Sequence, residues 1–393
     1  MTSWITRLAA LATAGIGTAL AQPAPWVIGA TTSETGVLAP LAVDYRKGLL
    51  LWEEQVNASG GIQGRPVSLR LVDDASEAIH VGKLYVRLMG EEKAVALIGP
   101  YGSAASLMAS AEAESARRVI VNGAAASRAL HKRSPRYVFQ AGVPYSAYGT
   151  GVLEIAKAAG YRRIFILARD DIAPREMAEA AREAAIKMGL ETGDVELHPA
   201  GNVDFGPQVA KARASLADAW LAFGETRDAA EMVKSFRRLN YAPRLFFARG
   251  AADPKFIEYV GQDAEYTLAT LEYAPSLPTP GNDGFVKAYA AKWSTPPGAA
   301  AAEGYAAATV LGEGLRRAGA EPQKLREFLA SSAIPTVLGE FRVDPKTGEQ
   351  RASVPAVVQI IRGRPQLVWP EASRSVAAYP QWSDRRPLQA GRR

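Results

Sequence analysis

The chain contains no cysteine. Disulfides, thiolate metal centres and cysteine nucleophiles are therefore all excluded. Histidine is scarce as well: His80, His131 and His198 are the three, and they lie too far apart to form a compact metal motif. No metal is expected. No G-x-x-x-x-G-K-[ST] phosphate loop occurs. Gly15-Ile16-Gly17 and Gly312-Glu313-Gly314 have G-x-G spacing, but neither follows a strand, so neither supports a dinucleotide site. There is no G-x-S-x-G elbow, and no histidine has a persuasive serine or carboxylate partner. The sequence thus gives no sign of catalytic residues or a cofactor.

What is present is a globular composition. Of 393 residues, 48% are hydrophobic and 22% charged, which supports a sizeable core and argues against disorder. At roughly 150 residues per domain, the length suggests two or three domains. The net charge of +6 comes with no DNA-reading motif. The basic runs His131-Lys132-Arg133-Ser134-Pro135-Arg136 and Arg385-Arg386 to Arg392-Arg393 read as a solvated loop and a frayed tail. No nucleic-acid partner is expected.

Residues 1–21 read as a secretory signal peptide. Arg7 precedes an apolar run over residues 8–20 that is shorter than the ~20 residues needed to span a bilayer. Ala19-Leu20-Ala21 is an A-x-A cleavage pattern, so export with cleavage after Ala21 is expected. No cysteine follows to carry a lipid anchor.

The remainder alternates strand and helix. Strands are expected at 26–30, 67–71, 94–98, 118–122 and 137–140, and then at 164–167, 219–223, 245–247 and 266–270. The helix over 41–58 carries Tyr45, Leu49, Trp52 and Val56 on one face. Further helices are expected at 77–89, 145–159, 174–188, 228–239, 283–292, 299–318 and 321–331; the last three are too rich in alanine for their faces to be assigned. Two more strands are expected at 339–343 and 356–361. Such alternation implies parallel sheets with helices on both faces, and there are too many strands for one compact sheet. The fold class is therefore α/β, with two doubly wound parallel-sheet lobes. In such sheets ligands bind beyond the carboxyl ends of strands.

The loops at those ends are the candidates for chemistry. Tyr101-Gly102-Ser103 leads into a helix, where free N–H groups and the helix dipole favour an anion. Ser103 is either a ligand contact, an N-cap, or both. Asn122-Gly123-Ala124-Ala125-Ala126-Ser127 is a small-residue loop that allows close backbone approach. In the second series, Glu225 and Arg249 leave equivalent strands. The acidic pairs Asp73-Asp74 and Asp170-Asp171 also lie at strand ends and read as surface or hinge groups.

Together these residues resemble a known family. The carrying motifs are Ile28-Gly29 with Thr35-Gly36, then Asn57-Ala58-Ser59-Gly60-Gly61-Ile62-Gln63-Gly64-Arg65. After them come Val72-Asp73-Asp74-Ala75-Ser76, Leu97-Ile98-Gly99-Pro100 and Ala124-Ala125-Ala126-Ser127. Over essentially the whole mature chain the sequence resembles the type I periplasmic binding proteins of the branched-chain amino acid (Leu/Ile/Val) group, the solute receptors of ABC importers. The resemblance implies two lobes joined by three crossovers that close on a ligand. It places residues 26–141 and 274–338 in an N-terminal lobe, 142–273 and 339–377 in a C-terminal lobe, and 378–393 in a tail.

It also implies roles. Ser103 and a hydroxyl at the place of Ala126 would hold a ligand carboxylate. The carbonyl of Ala124 and an acid near Gly250 would hold an ammonium. Here Ala126 has no hydroxyl, the loop offers Arg249 but no acid before Asp253, and Glu225 matches an aromatic position. Two alternatives stay open: Glu225 supplies the acid for an amino acid, or Arg249 holds an organic or aromatic acid. The candidate contacts are Tyr101, Gly102, Ser103, Asn122, Ala124, Ala126, Ser127, Tyr148, Glu225 and Arg249. The implied function is capture of a small amino acid or related carboxylate by hinge closure, with ABC permease subunits as partners and a monomeric receptor. A ligand sensor for a signalling receptor, and a secreted two-lobed enzyme, are the alternatives.

Overall fold

The computed structural model describes residues 23–371, 374–377 and 381–384. The expected leader and the basic residues from Arg385 onward lie outside the described residues. The first lobe is built on a parallel sheet of β1 (Trp26–Thr32), β2 (Val67–Asp73), β3 (Ala96–Ile98), β4 (Ile120–Asn122) and β5 (Val138–Gln140), in the order β2-β1-β3-β4-β5. Helix α1 (Ala39–Ala58) buries Tyr45, Leu49, Trp52 and Val56 against it, the face read from the sequence. On the other side, α2 (Ala78–Gly90) and α3 (Ser103–Ser115) cover the sheet through Val81, Tyr85, Ala105 and Ala109.

The second sheet uses β6 (Arg163–Arg169), β7 (Glu191–Thr192), β8 (Glu196–His198), β9 (Ala219–Phe223), β10 (Leu245–Ala248) and β11 (Leu268–Leu271). It ends with two antiparallel strands, β14 (Ala356–Ile361) and β15 (Arg364–Trp369). The order is β15-β14-β11-β10-β9-β6-β7, with β8 beside β6. One face packs under α4 (Thr150–Ala158) and α5 (Ile172–Lys187). The other packs under α6 (Gly206–Ala214), α7 (Thr226–Arg238) and α8 (Pro254–Val260). The sequence reading omitted α6, α8, β7, β8 and β15, and a short strand at Ile334–Thr336. Strand β15 is only partly buried and carries Pro365, which suits an edge but hides the alternation that marks a strand.

Three helices return to the first lobe after the second crossover: α9 (Asn282–Trp293), α10 (Ala299–Ala318) and α11 (Pro322–Ser331). The alanine content of α10 has a packing cause. It lies so close to α1 that a Cβ on Gly48 would stand 2.0 Å from the Ala301 carbonyl oxygen, and one on Gly304 would stand 2.4 Å from that of Tyr45. The hairpin β12 (Ile334–Thr336) and β13 (Gly339–Phe341) follows.

Two expectations need correction, the boundary at residue 339 and the exposure of His131. The boundary at residue 339 falls too early. Phe341 and Val343 belong to the first core, and the Gln140 N–H donates to the Gly348 carbonyl at 3.0 Å, so the chain stays on the first lobe through Gln350. The run read as a frayed tail, 385–393, lies outside the described residues, but just before it Trp382 is 1% exposed, stacks edge-on to Phe236 and Phe246, and donates from Nε1 to Thr267 Oγ1 at 3.0 Å. His131 leaves the otherwise exposed basic loop and is buried, with Nδ1 2.8 Å from the Thr347 carbonyl oxygen. Burial holds its pKa below the usual histidine value.

Candidate functional site

The carboxyl ends of the two sheets face one another, and the loops leaving them supply the site. In the first lobe, Gly102 occupies the position before α3 with φ +93°, a backbone region that suits glycine. No side chain caps this helix start. Ser103 is therefore the first helical residue and not a cap. Its Oγ accepts a long hydrogen bond from the Ser127 N–H at 3.4 Å and shares one with the Tyr145 hydroxyl. The N–H groups that open α3 lack intrahelical carbonyls, so the end presents positive potential to an anion. Tyr101 lies beside Ser103, edge-on to Tyr45 with ring centroids 6.0 Å apart.

The small-residue loop is used in two ways. The Ala124 carbonyl accepts from the Gly102 N–H at 3.0 Å, and the Ala126 carbonyl accepts from the Tyr145 N–H at 2.9 Å. That second bond explains why the helix expected over 145–159 opens as a tight turn, Tyr145–Ala147, before α4 begins. Ser127 Oγ donates to Glu176 on α5 at 2.8 Å and accepts from the Ala129 N–H at 3.2 Å. Ser127 thus joins the two lobes at the cleft rim. The Arg128 N–H also donates to Glu176. Asn122 is placed apart from the others: it is fully buried, and its Nδ2 donates to Ser110 Oγ on α3 at 3.1 Å, beneath the loop.

In the second lobe Glu225 and Arg249 face each other. Arg249 Nη1 is 3.2 Å from Glu225 Oε1, and Arg169 Nη2 is 3.7 Å from the same oxygen. Glu225 also starts α7 in a reciprocal capping box with Asp228. The two residues offered as alternatives are a pair. Burial works against the charge of Arg249, but Tyr148, Glu225, Glu272 and Tyr145 outweigh it and hold its pKa above the ordinary arginine value.

Three residues that the sequence reading did not select complete the group. Tyr148, which was selected, is buried and donates from its hydroxyl to Glu272 Oε1 in the second crossover. Glu272 is in turn hydrogen-bonded to Glu303 of α10. Two carboxyl groups can bond each other only if one holds a proton. Burial first, and then the charge of Glu272, push the Glu303 carboxyl well above the usual range. Burial likewise raises the Tyr101 and Tyr148 hydroxyls. Glu303 was detectable as the one charge inside Ala299-Ala300-Ala301-Ala302-Glu303-Gly304-Tyr305-Ala306, and Tyr145 as the neighbour of Tyr148 one turn away. Glu272 carried no local signal.

The acidic pairs noted in the sequence are structural. Asp74 is buried and accepts from Thr31 Oγ1 at 2.8 Å and Ser33 Oγ at 2.6 Å, while Asp73 accepts from the Glu34 N–H at 2.8 Å. Asp170 pairs with Arg175 and Asp171 with Arg169. A hollow of about 500 Å³ lined by Arg163, Thr192 and Lys211 lies towards the amino ends of the second sheet's strands, away from the cleft. Among the described residues no group of three His, Asp or Glu side chains is placed to hold a metal ion. No described helix is long and apolar enough to cross a membrane.

Comparison with known proteins agrees with this architecture. The family described as periplasmic binding protein matches residues 25–363. An amino acid binding protein of Pseudomonas aeruginosa is 28% identical over 330 residues, covering 81% of this chain and 86% of that one. Two solved structures share the fold. An ABC transporter substrate-binding protein from Desulfitobacterium hafniense in complex with Leu has a TM-score of 0.72 at 22% identity, covering 88% of this chain and 100% of that one. A solute-binding protein from R. palustris in complex with benzoate has a TM-score of 0.65 at 20% identity, covering 91% and 99%.

Proposed function

The chain belongs to the periplasmic binding protein family, and from that premise we propose that it is the solute receptor of an ABC importer for a small amino acid or related carboxylate. The observation that carries this reading is the composition of the cleft. An uncapped helix start at Ser103 and the Arg249 guanidinium offer an anion two sources of positive potential, between lobes already in contact through Ser127 and Glu176. The P. aeruginosa relative's name and the leucine- and benzoate-bound structures bracket the same class of small carboxylates. Tyr101, Gly102, Ser103, Ala124, Ala126, Tyr145, Tyr148 and Arg249 are the proposed contacts. Ser127 is proposed to latch the lobes, and Asn122 to support the loop from beneath.

In this reading the protein performs no bond-making chemistry. It closes about three crossovers, traps its ligand, and presents the closed lobes to permease subunits in the membrane as a monomer. The leader over residues 1–21 would deliver it to the periplasm. The test has two arms. Mass spectrometry of gently purified protein should find a co-purifying small carboxylate or amino acid, and that compound should raise the melting temperature. Ser103→Ala should weaken its binding by about 1–3 kcal/mol, the usual cost of losing a hydrogen bond to a charged group. Failure of amino acids and small carboxylates alike to shift the melting temperature would refute the ligand class.

A further inference from the structure

The charged row at the carboxyl edge of the second sheet holds a residue that the receptor reading does not use. Strands β6, β9 and β10 are neighbours in the order β10-β9-β6. Arg169 ends β6, Glu225 follows β9 and Arg249 follows β10, so a cation, an anion and a cation succeed one another across the edge. Both arginines reach the same oxygen: Glu225 Oε1 is 3.2 Å from Arg249 Nη1 and 3.7 Å from Arg169 Nη2. Arg169 also contacts Asp171 and lies 3.7 Å from Asp228, which is buried. Arg249 has no second ion pair among the described residues. Glu225 is tied to this place by its own helix as well. It opens α7 in the capping box, and its N–H donates to Asp228 at 2.8 Å.

A ligand carboxylate that takes Arg249 must displace Glu225 from it. Without another partner, Glu225 would then stand as an uncompensated carboxylate beside the ligand's own negative charge, in a cleft that closure shields from water. Such a charge is costly and would weaken binding. Arg169 removes that cost. Glu225 need not travel to find a cation, because Arg169 already faces the oxygen that Arg249 gives up. We infer that Arg169 is a positioning residue for ligand capture: it retains Glu225 on the second lobe when a ligand carboxylate replaces Glu225 on Arg249. This rests on the receptor function proposed above and deepens it, by explaining how one carboxylate can neutralise Arg249 in the free protein without blocking it for an anionic ligand. In this role Arg169 acts through Glu225 and not by touching the ligand. The exchange is one of ion pairs, and no covalent bond changes. Because the Glu225 side chain is half-exposed, the effect on affinity is modest.

The experiment is a double-mutant cycle read by titration calorimetry on the mature protein, with L-leucine and benzoate as probes. Arg169→Gln should weaken probe binding by about three- to tenfold, because Glu225 then holds Arg249 more exclusively. In a Glu225→Gln background the same change should alter Kd by less than about twofold, since the carboxylate that Arg169 retains is gone. A merely structural role would instead weaken binding equally in both backgrounds, along with ligand-free stability. Arg169→Lys keeps a cation beside Glu225 and should recover most of the affinity. It also serves where Arg169→Gln does not fold, which ligand-free melting curves report. If a folded Arg169→Gln protein binds within twofold of wild type, if its loss is the same in the Glu225→Gln background, or if neither Arg169 variant folds, the inference falls while the receptor function stands. If the wild type binds neither probe, the ligand class of the proposed function falls, and the inference with it.

Discussion

Neutralising Arg249 and Glu225 one at a time separates a ligand contact from a structural ion pair. In the free protein the two are joined at 3.2 Å, with side chains 29% and 49% exposed. A pair that accessible contributes about 0–1 kcal/mol to folding. Arg249→Gln should therefore cost no more than that, a melting shift of about 4 °C at most for lobes of this size. Glu225→Gln should cost no more either, because a glutamine oxygen can still accept from the α7 backbone in the capping box. Binding should divide the two variants. With Arg249 on the ligand carboxylate, its loss removes a charge-assisted hydrogen bond of about 1.5–3 kcal/mol, roughly 10- to 150-fold in Kd. Glu225→Gln frees Arg249 from a competing carboxylate, so affinity should stay the same or rise modestly. Calorimetry with the co-purifying ligand, beside thermal melts without it, measures both. A folded Arg249→Gln protein that binds within twofold of wild type would remove Arg249 from the site. A large melting loss without ligand would show instead that the pair is structural.

The docked tail makes a second prediction: Trp382→Ala should destabilise the second lobe by about 3–5 kcal/mol, as expected for a fully buried aromatic, and leave ligand affinity nearly unchanged. Denaturant melts showing less than about 1 kcal/mol would return the tail to the status of a loose extension. A third concerns the pH dependence of stability. Glu303 has its pKa raised in the folded protein, so the native pair keeps a proton that the unfolded chain releases. The resulting stability is complete below the ordinary glutamate pKa of about 4.3 and is lost as pH rises towards the folded value. Ligand-free Glu303→Gln should accordingly gain in melting temperature over wild type as pH rises above the ordinary glutamate pKa; parallel pH profiles for the two proteins would contradict the raised Glu303 carboxyl.

The sequence alone determined the parts of this protein that are local. Tyr45, Leu49, Trp52 and Val56 fall on one helical face, and Ala219-Trp220-Leu221-Ala222-Phe223 has no polar break, so an amphipathic helix and a fully buried strand follow from periodicity and burial alone. The alternation of such segments dictated two sheets built mainly of parallel strands, and the motif run from Asn57 to Ser76 pointed to the family. Ser103 and the Ala124–Ser127 loop were legible because strand ends in parallel sheets are where ligands bind.

Tertiary structure decided whatever depends on two distant segments meeting. Glu272 and Glu303 are unremarkable in sequence; only the return of α10 beneath the first lobe brings Glu303 against the second crossover, where burial and the charge of Glu272 push its carboxyl above the usual range. Glu225 and Arg249 looked like rivals for one role because nothing in the chain between them reveals that β9 and β10 are adjacent and deliver both residues to the same edge. Asn122 read as a cleft residue because a strand end is visible in sequence, whereas the side to which its side chain turns is set by packing against Ser110. Trp382 was assigned to the tail because it follows the last regular strand. It is held in the core by Phe236, Phe246 and Thr267, residues that precede it by more than a hundred positions and that only the folded second lobe gathers into one pocket.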